Sequence, residues 1–160
     1  MPKEKLVIKG YEISTDPQRF QIAFIHDFLR STYWAKGIPR RVVATSIKYS
    51  LCFGVFHRGE QVGFARVITD RATFAYLADV FVAPEHRGHG VGKMLIARIL
   101  AHRNLQGLRR FMLATQDAHG LYAQFGFKPL FHPERFMAIA RPNAYQKKSR
   151  AKNARPRWAL

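Results

Sequence analysis

A chain of 160 residues that is 48% hydrophobic, with 13 phenylalanines, is long enough to bury a full core and too apolar to be wholly disordered. Its 27 basic and 10 acidic residues leave a formal charge of +17. No apolar run approaches the roughly 20 residues that cross a bilayer, and the opening Met1–Lys5 lacks the apolar core of a signal peptide. A single cysteine, Cys52, excludes an internal disulfide, so the expected compartment is the cytoplasm, without membrane association.

Residues 6–13 read as a first strand on an edge, and Ser14-Thr15-Asp16-Pro17 as a helix start, with Asp16 capping and Pro17 in the first turn. Phe20, Phe24 and Phe28 then recur every four residues beside Ile25 and Leu29, which predicts a buried helical face ending near Thr32. Tyr33 to Ile38 is a loop with two large aromatics, and a second helix runs from Pro39 to about Tyr49, burying Val43 and Ile47. From Leu51 the period becomes that of strands. Leu51–Phe56 and Val62–Ile68 flank His57-Arg58-Gly59-Glu60 as a hairpin, with Cys52 a packed thiol rather than a nucleophile. Thr73–Ala83 is apolar on both faces, as in a strand covered on both sides, and Asp79 interrupts it.

The stretch Val80 to Lys93 reads as strand, sharp turn, glycine-rich loop and helix start. Gly88, Gly90 and Gly92 let backbone N–H groups converge, and Arg87 and Lys93 flank them, which makes a phosphate site at a helix N-terminus. A Walker loop does not fit, because Arg87 stands where its first glycine belongs and Met94 replaces the hydroxyl residue. The dinucleotide fingerprint fails too, since one residue rather than two separates Gly90 from Gly92. The following helix carries Val91, Met94, Leu95 and Ile99 and ends near His102. Leu108–Thr115 is the next strand, and Asp117–Phe125 a short helix capped by Asp117 and closed by Gly126. Phe127–Leu130 and Arg135–Ala140 complete the expected sheet.

The motif Arg87-x-x-Gly90-x-Gly92 after an apolar strand, and Leu121-Tyr122-Ala123-Gln124-Phe125-Gly126-Phe127 farther on, resemble two segments of the GNAT superfamily of acyl-CoA-dependent N-acyltransferases. The order of elements over residues 6–140 is similar to that family's as well. The resemblance implies a mixed α/β fold: a six- to seven-stranded sheet, about four flanking helices, and a splay between the fourth and fifth strands, here between Ala78–Val82 and Phe111–Ala114. It implies direct acetyl transfer from acetyl-CoA to a primary amine, with no metal. Arg87, Gly88, His89, Gly90, Val91, Gly92 and Lys93 would hold the pyrophosphate, and the backbone of Val80, Phe81 and Val82 the pantetheine arm. Tyr122 would protonate the departing thiolate. Thr115 stands where relatives often carry a pantetheine-contacting Asn and can still hydrogen-bond, and His89 replaces a Lys or Arg often found there.

The base is open between two residues. Asp79 could act through water, anchor the acceptor or pair with an arginine, since a carboxylate in an apolar run needs a partner or water. His119 has a suitable ordinary pKa but could equally line the cofactor channel or face solvent. Tyr33 and Trp34 are candidates for the acceptor pocket or for packing.

The chain is expected to divide into a domain over residues 1–140 and a basic, mobile tail over 141–160, where seven basic residues stand without an acidic one. That charge suits RNA or a ribosome, or is only a solvated surface, so a nucleic-acid-associated binding module is the second functional class. The acceptor and the oligomeric state are not legible.

Overall fold

The structure, a computed structural model, describes residues 6–146. Five strands form one sheet in sequential order: β1 (Tyr11–Ser14), β2 (Leu51–His57), β3 (Glu60–Thr69), β4 (Phe74–Val82) and β5 (Arg110–Leu113). The first four are antiparallel neighbours, and β4 and β5 run parallel. Helices α1 (Ile22–Leu29) and α2 (Arg40–Lys48) lie between β1 and β2, α3 (Val91–Leu100) follows β4, and α4 (His119–Ala123) follows β5.

The two faces of the sheet carry separate cores. Phe53 and Val55 of β2, Ala65 and Val67 of β3, and Ala75 and Leu77 of β4 pack with Val91, Leu95 and Ile99 of α3. On the opposite face Cys52, Phe56, Phe64 and Phe81 pack with Ile25 and Leu29 of α1 and Val43 and Ile47 of α2. Alternation along each strand thus feeds two apolar layers, which is why the strands read as continuous apolar runs. The hairpin forms as expected, turning at Arg58 and Gly59 with φ of 50° and 82°. Cys52 is buried, and burial pushes its thiol up to about 12.

Several expectations need correction. The first strand starts at Tyr11, not Leu6, because the chain turns at Gly10 with φ of 86°. Asp16 does cap, accepting from the Gln18 N–H at 2.9 Å, but it caps a single 3-10 turn, Pro17–Arg19. Helix α1 begins afresh at Ile22, after the Gln21 N–H donates to Gln61 Oε1 at 2.7 Å. Asp117 does not cap α4: the helix starts later, at His119, and the Ala118 N–H donates to Thr115 Oγ1 at 3.1 Å.

The sheet has five strands among the described residues rather than six or seven. Phe127–Leu130 forms no strand: Phe127 turns back to donate its N–H to Tyr122 O at 3.3 Å, and Pro129 supplies no N–H for a ladder. Arg135–Ala140 forms none either. Pro133–Arg135 is a 3-10 turn, and Met137 and Ile139 are 98% and 80% exposed, so the apolar alternation there has no layer to enter among the described residues. Most of the basic tail, residues 147–160, lies outside the described residues.

Candidate active site

The site begins with a fault in β4. Phe64 pairs with Phe81 and Arg66 with Ala78, so Asp79 and Val80 together oppose Ala65 alone. This is a β-bulge, and Asp79 takes the left-handed conformation it requires, with φ of 54°. The bulge reverses the side-chain parity of the strand. Ala75 and Leu77 face the α3 core, yet Phe81, also at an odd position, enters the α1–α2 core and stacks on Phe28 at 3.9 Å.

The pairing of β4 with β5 ends at the same place. It runs from Phe74 opposite Arg110 to Leu77 opposite Leu113 and goes no farther. From Ala78 to Val82 the edge of β4 facing β5 has no strand beside it among the described residues, which is the splay the resemblance led us to expect. A cleft of about 630 Å³ opens there. Its walls come from the α1–α2 loop (Tyr33, Trp34), β4 (Tyr76 to Val80), the end of β5 (Leu113 to Ala118), and Tyr122 of α4.

Asp79 is held from two sides. Arg66 Nε donates to its Oδ2 at 2.8 Å and Trp34 Nε1 to its Oδ1 at 3.0 Å. Arg66 also donates from Nη1 to Ser50 Oγ at 3.3 Å. The side chains of the pair are 16% and 9% exposed, so the carboxylate is paired, as a buried charge must be. This hydrogen-bonded pair offsets the left-handed strain at Asp79, of about 1–2 kcal/mol for a residue with a Cβ.

Tyr122 is 8% exposed, its ring packed edge-on against Phe127. Its hydroxyl makes no hydrogen bond among the described residues, while the residue itself lines the cleft. Burial raises its pKa above the ordinary phenol value, and the neighbouring Tyr33 and Asp117 add to the rise. The group is therefore a neutral donor at physiological pH. Across the cleft the Gln116 N–H donates to the Tyr33 hydroxyl at 3.3 Å, which ties the α1–α2 loop to the end of β5.

Tyr33, Trp34, Asp79, Val80, Thr115 and Tyr122 thus meet at one cleft. His119, exposed at the start of α4, does not line it, and the Phe81 side chain belongs to the core. Residues that the sequence reading passed over also line it: Arg66, Tyr76, Asp117 and Tyr145. Arg66 had a signal, as the one charge within the apolar run of β3, the same anomaly that marked Asp79. Tyr145 had none, set among polar and basic neighbours.

The glycine-rich loop lies beyond the cleft at the far end of β4. Gly88 and Gly90 have φ of 80° and 81°, and Gly90 is the N-cap of α3 with no side chain capping the helix. A Cβ placed at Gly88 or Gly92 would meet no atom within 4 Å, so the backbone there is open to a ligand. The first N–H groups of a helix have no partner within it, and they carry its positive end. Val91, whose side chain is buried, anchors the helix start, while Arg87, His89 and Lys93 are exposed around it. Arg87 Nε donates to Val82 O at 2.8 Å and so joins the loop to the open edge. These features fit a phosphate group.

The acetyltransferase (GNAT) domain family matches residues 48–129. A solved structure from Xanthomonas campestris pv. campestris, described as a GNAT-family acetyltransferase, is 52% identical with a TM-score of 0.86, over 88% of this chain and 100% of that one. FG08082 of Gibberella zeae, named as an acetyltransferase, is 34% identical over 137 residues, which is 71% of this chain and 76% of that protein. N-acetylglutamate synthase of Neisseria gonorrhoeae, solved with coenzyme A and N-acetyl-glutamate, shares the fold alone, with a TM-score of 0.59 at 21% identity over 74% of this chain and 28% of that one. The chain belongs to the GNAT acetyltransferases and is an acyltransferase enzyme. Among the described residues, no helix is long and apolar enough to cross a membrane.

Proposed function

We propose that the protein moves an acetyl group directly from acetyl-CoA to a primary amine, with Tyr122 as the proton donor to the leaving sulfur. The observation that carries this reading is the end of β4–β5 pairing at Leu77 and Leu113, in a cleft also lined by Tyr122, a buried residue whose hydroxyl makes no hydrogen bond among the described residues. The open edge from Ala78 to Val82 offers N–H and C=O groups to an extended amide chain, which is what a pantetheine arm presents. The N–H groups of Gly88 to Gly92 and the start of α3, with Arg87 and Lys93, hold the pyrophosphate, and His89 and Val91 complete the loop. Thr115, already accepting from Ala118, keeps its O–H to donate toward the arm.

Acetyl-CoA supplies the activated acetyl group. In the transfer, the amine nitrogen bonds to the acetyl carbon as the carbon–sulfur bond breaks. An ammonium loses two protons on the way to the amide: the thiolate gains one through Tyr122, and one reaches solvent. A general acid of this kind contributes about 10²–10⁴-fold. Asp79 has both oxygens engaged, so its part is to hold Trp34 and the bulge in place at the acceptor side; solvent takes the amine's proton. His119, outside the cleft, has no direct role. The test is transfer of labelled acetyl groups by the wild type and Tyr122→Phe. A large loss of turnover with unchanged acetyl-CoA affinity supports the reading, and unchanged turnover removes Tyr122 from the mechanism.

A further inference from the structure

We propose that the acceptor half of the cleft selects a small monoamine: one ammonium on an apolar or aromatic body, with no carboxylate beside the nitrogen. The inference rests on the acetyl-transfer reading of the cleft.

The first ground is charge. The chain as a whole carries +17, from 27 basic and 10 acidic residues. Among the described residues the cleft lining reverses this sign: it holds one cation, Arg66, and two carboxylates, Asp79 and Asp117, for a net −1. Arg66 Nε is taken by Asp79 and its Nη1 by Ser50, and among the described residues the lining contains no lysine. An acceptor carboxylate would therefore meet no free cation of the lining and would set a second carboxylate against the guanidinium that Asp79 already uses. Like charges brought together in this way cost several kcal/mol.

The second ground is shape and polarisability. Tyr33, Trp34, Tyr76 and Tyr145 all line the cleft. An alkyl amine is protonated near neutral pH, its pKa lying near the value of about 10.4 for lysine. It must therefore enter as a cation, and aromatic faces receive cations while also covering an apolar body. The third ground is Asp117. It makes no hydrogen bond or ion pair among the described residues, and it follows Gln116, whose N–H is bound to the Tyr33 hydroxyl. That placement sets a free carboxylate beside the aromatic wall and near Tyr122, where the ammonium must come to react. A polyamine fits less well, because its further charges would add to those of a chain that already carries +17.

The test has two arms on the full chain. The first compares acetylation of phenethylamine, phenylalanine and spermidine, with acetyl-CoA binding measured alongside. The second measures binding of phenethyltrimethylammonium, which has no N–H to acetylate, to wild type, Asp117→Asn and Trp34→Ala. We expect kcat/KM for phenethylamine to exceed that for phenylalanine and spermidine by about 100-fold. The quaternary cation should bind about tenfold more weakly to each variant. Equal use of the three amines, or equal binding by wild type and both variants, would overturn the inference while leaving acetyl transfer standing. Failure of acetyl-CoA to bind would overturn the acetyl-transfer reading and the inference with it.

Discussion

The indole N–H of Trp34 reaches Asp79 Oδ1 at 3.0 Å, and this bond ties the loop between α1 and α2 to the bulge of β4. The two halves of the proposed site, acceptor wall and thioester edge, are thereby held in one geometry. Asp79 can occupy the bulge because Arg66 takes its other oxygen.

Removing that carboxylate should therefore be costly. Asp79→Ala leaves the guanidinium of Arg66, 16% exposed, without its partner. Breaking a buried pair from one side costs about 3–5 kcal/mol, and the remaining exposure puts the expected loss near about 3. Urea unfolding measures it. A loss below about 1 kcal/mol would place the pair with ordinary surface ion pairs. Asp79→Asn, which can still accept from Trp34, should raise the acceptor KM more than it lowers kcat.

The alkaline behaviour of Tyr122 follows from its burial. Its folded pKa lies above the ordinary 10.0, because burial penalises the phenolate. The corresponding stability is fully present below about pH 10 and is lost as pH rises through the folded value. Melting temperatures taken across that range should fall less steeply for Tyr122→Phe than for the wild type. Parallel curves would show that the hydroxyl ionises as easily folded as unfolded.

Cys52 should be inert. Burial pushes its thiol up to about 12, so almost no thiolate forms at neutral pH. Iodoacetamide should leave the native enzyme fully active, and Cys52→Ala should keep its turnover. Inactivation by alkylation of the folded protein would instead point to a covalent acyl-enzyme.

The glycines of the loop separate strain from binding. Gly90→Ala forces a Cβ into a left-handed position at φ of 81°, with Ile8 Cδ1 3.4 Å away, and should cost about 1–2 kcal/mol of stability. Gly92→Ala lies inside α3 with open space around the added methyl, and should gain about 0.5–1 kcal/mol. A weaker acetyl-CoA affinity in Gly92→Ala then reports the phosphate contact free of strain. Unchanged affinity in both variants would remove the loop from the binding site.

Much of this was legible in the sequence for local reasons. The hairpin, α2 with Val43 and Ile47 buried, and the loop into α3 rest on period and turn chemistry within a few residues. Asp79 stood out because a carboxylate in an apolar run needs an explanation. Its partner was hidden, because matching Arg66 to Asp79 requires the register of β3 on β4 and the bulge that shifts it. The last two strands were misread for the opposite reason. Arg135–Ala140 has a strand's alternation, but pattern alone cannot say whether a layer exists to receive it, and Met137 stands 98% exposed.

The most direct test of acetyl transfer through Tyr122 is an assay with labelled acetyl-CoA and a cell extract separated into small-molecule, protein and RNA fractions, run with wild type and Tyr122→Phe. Label should enter the small-molecule amines with the wild type and be nearly lost with the variant. Acetyl-CoA binding without label in any fraction, or equal labelling by both proteins, would contradict the account.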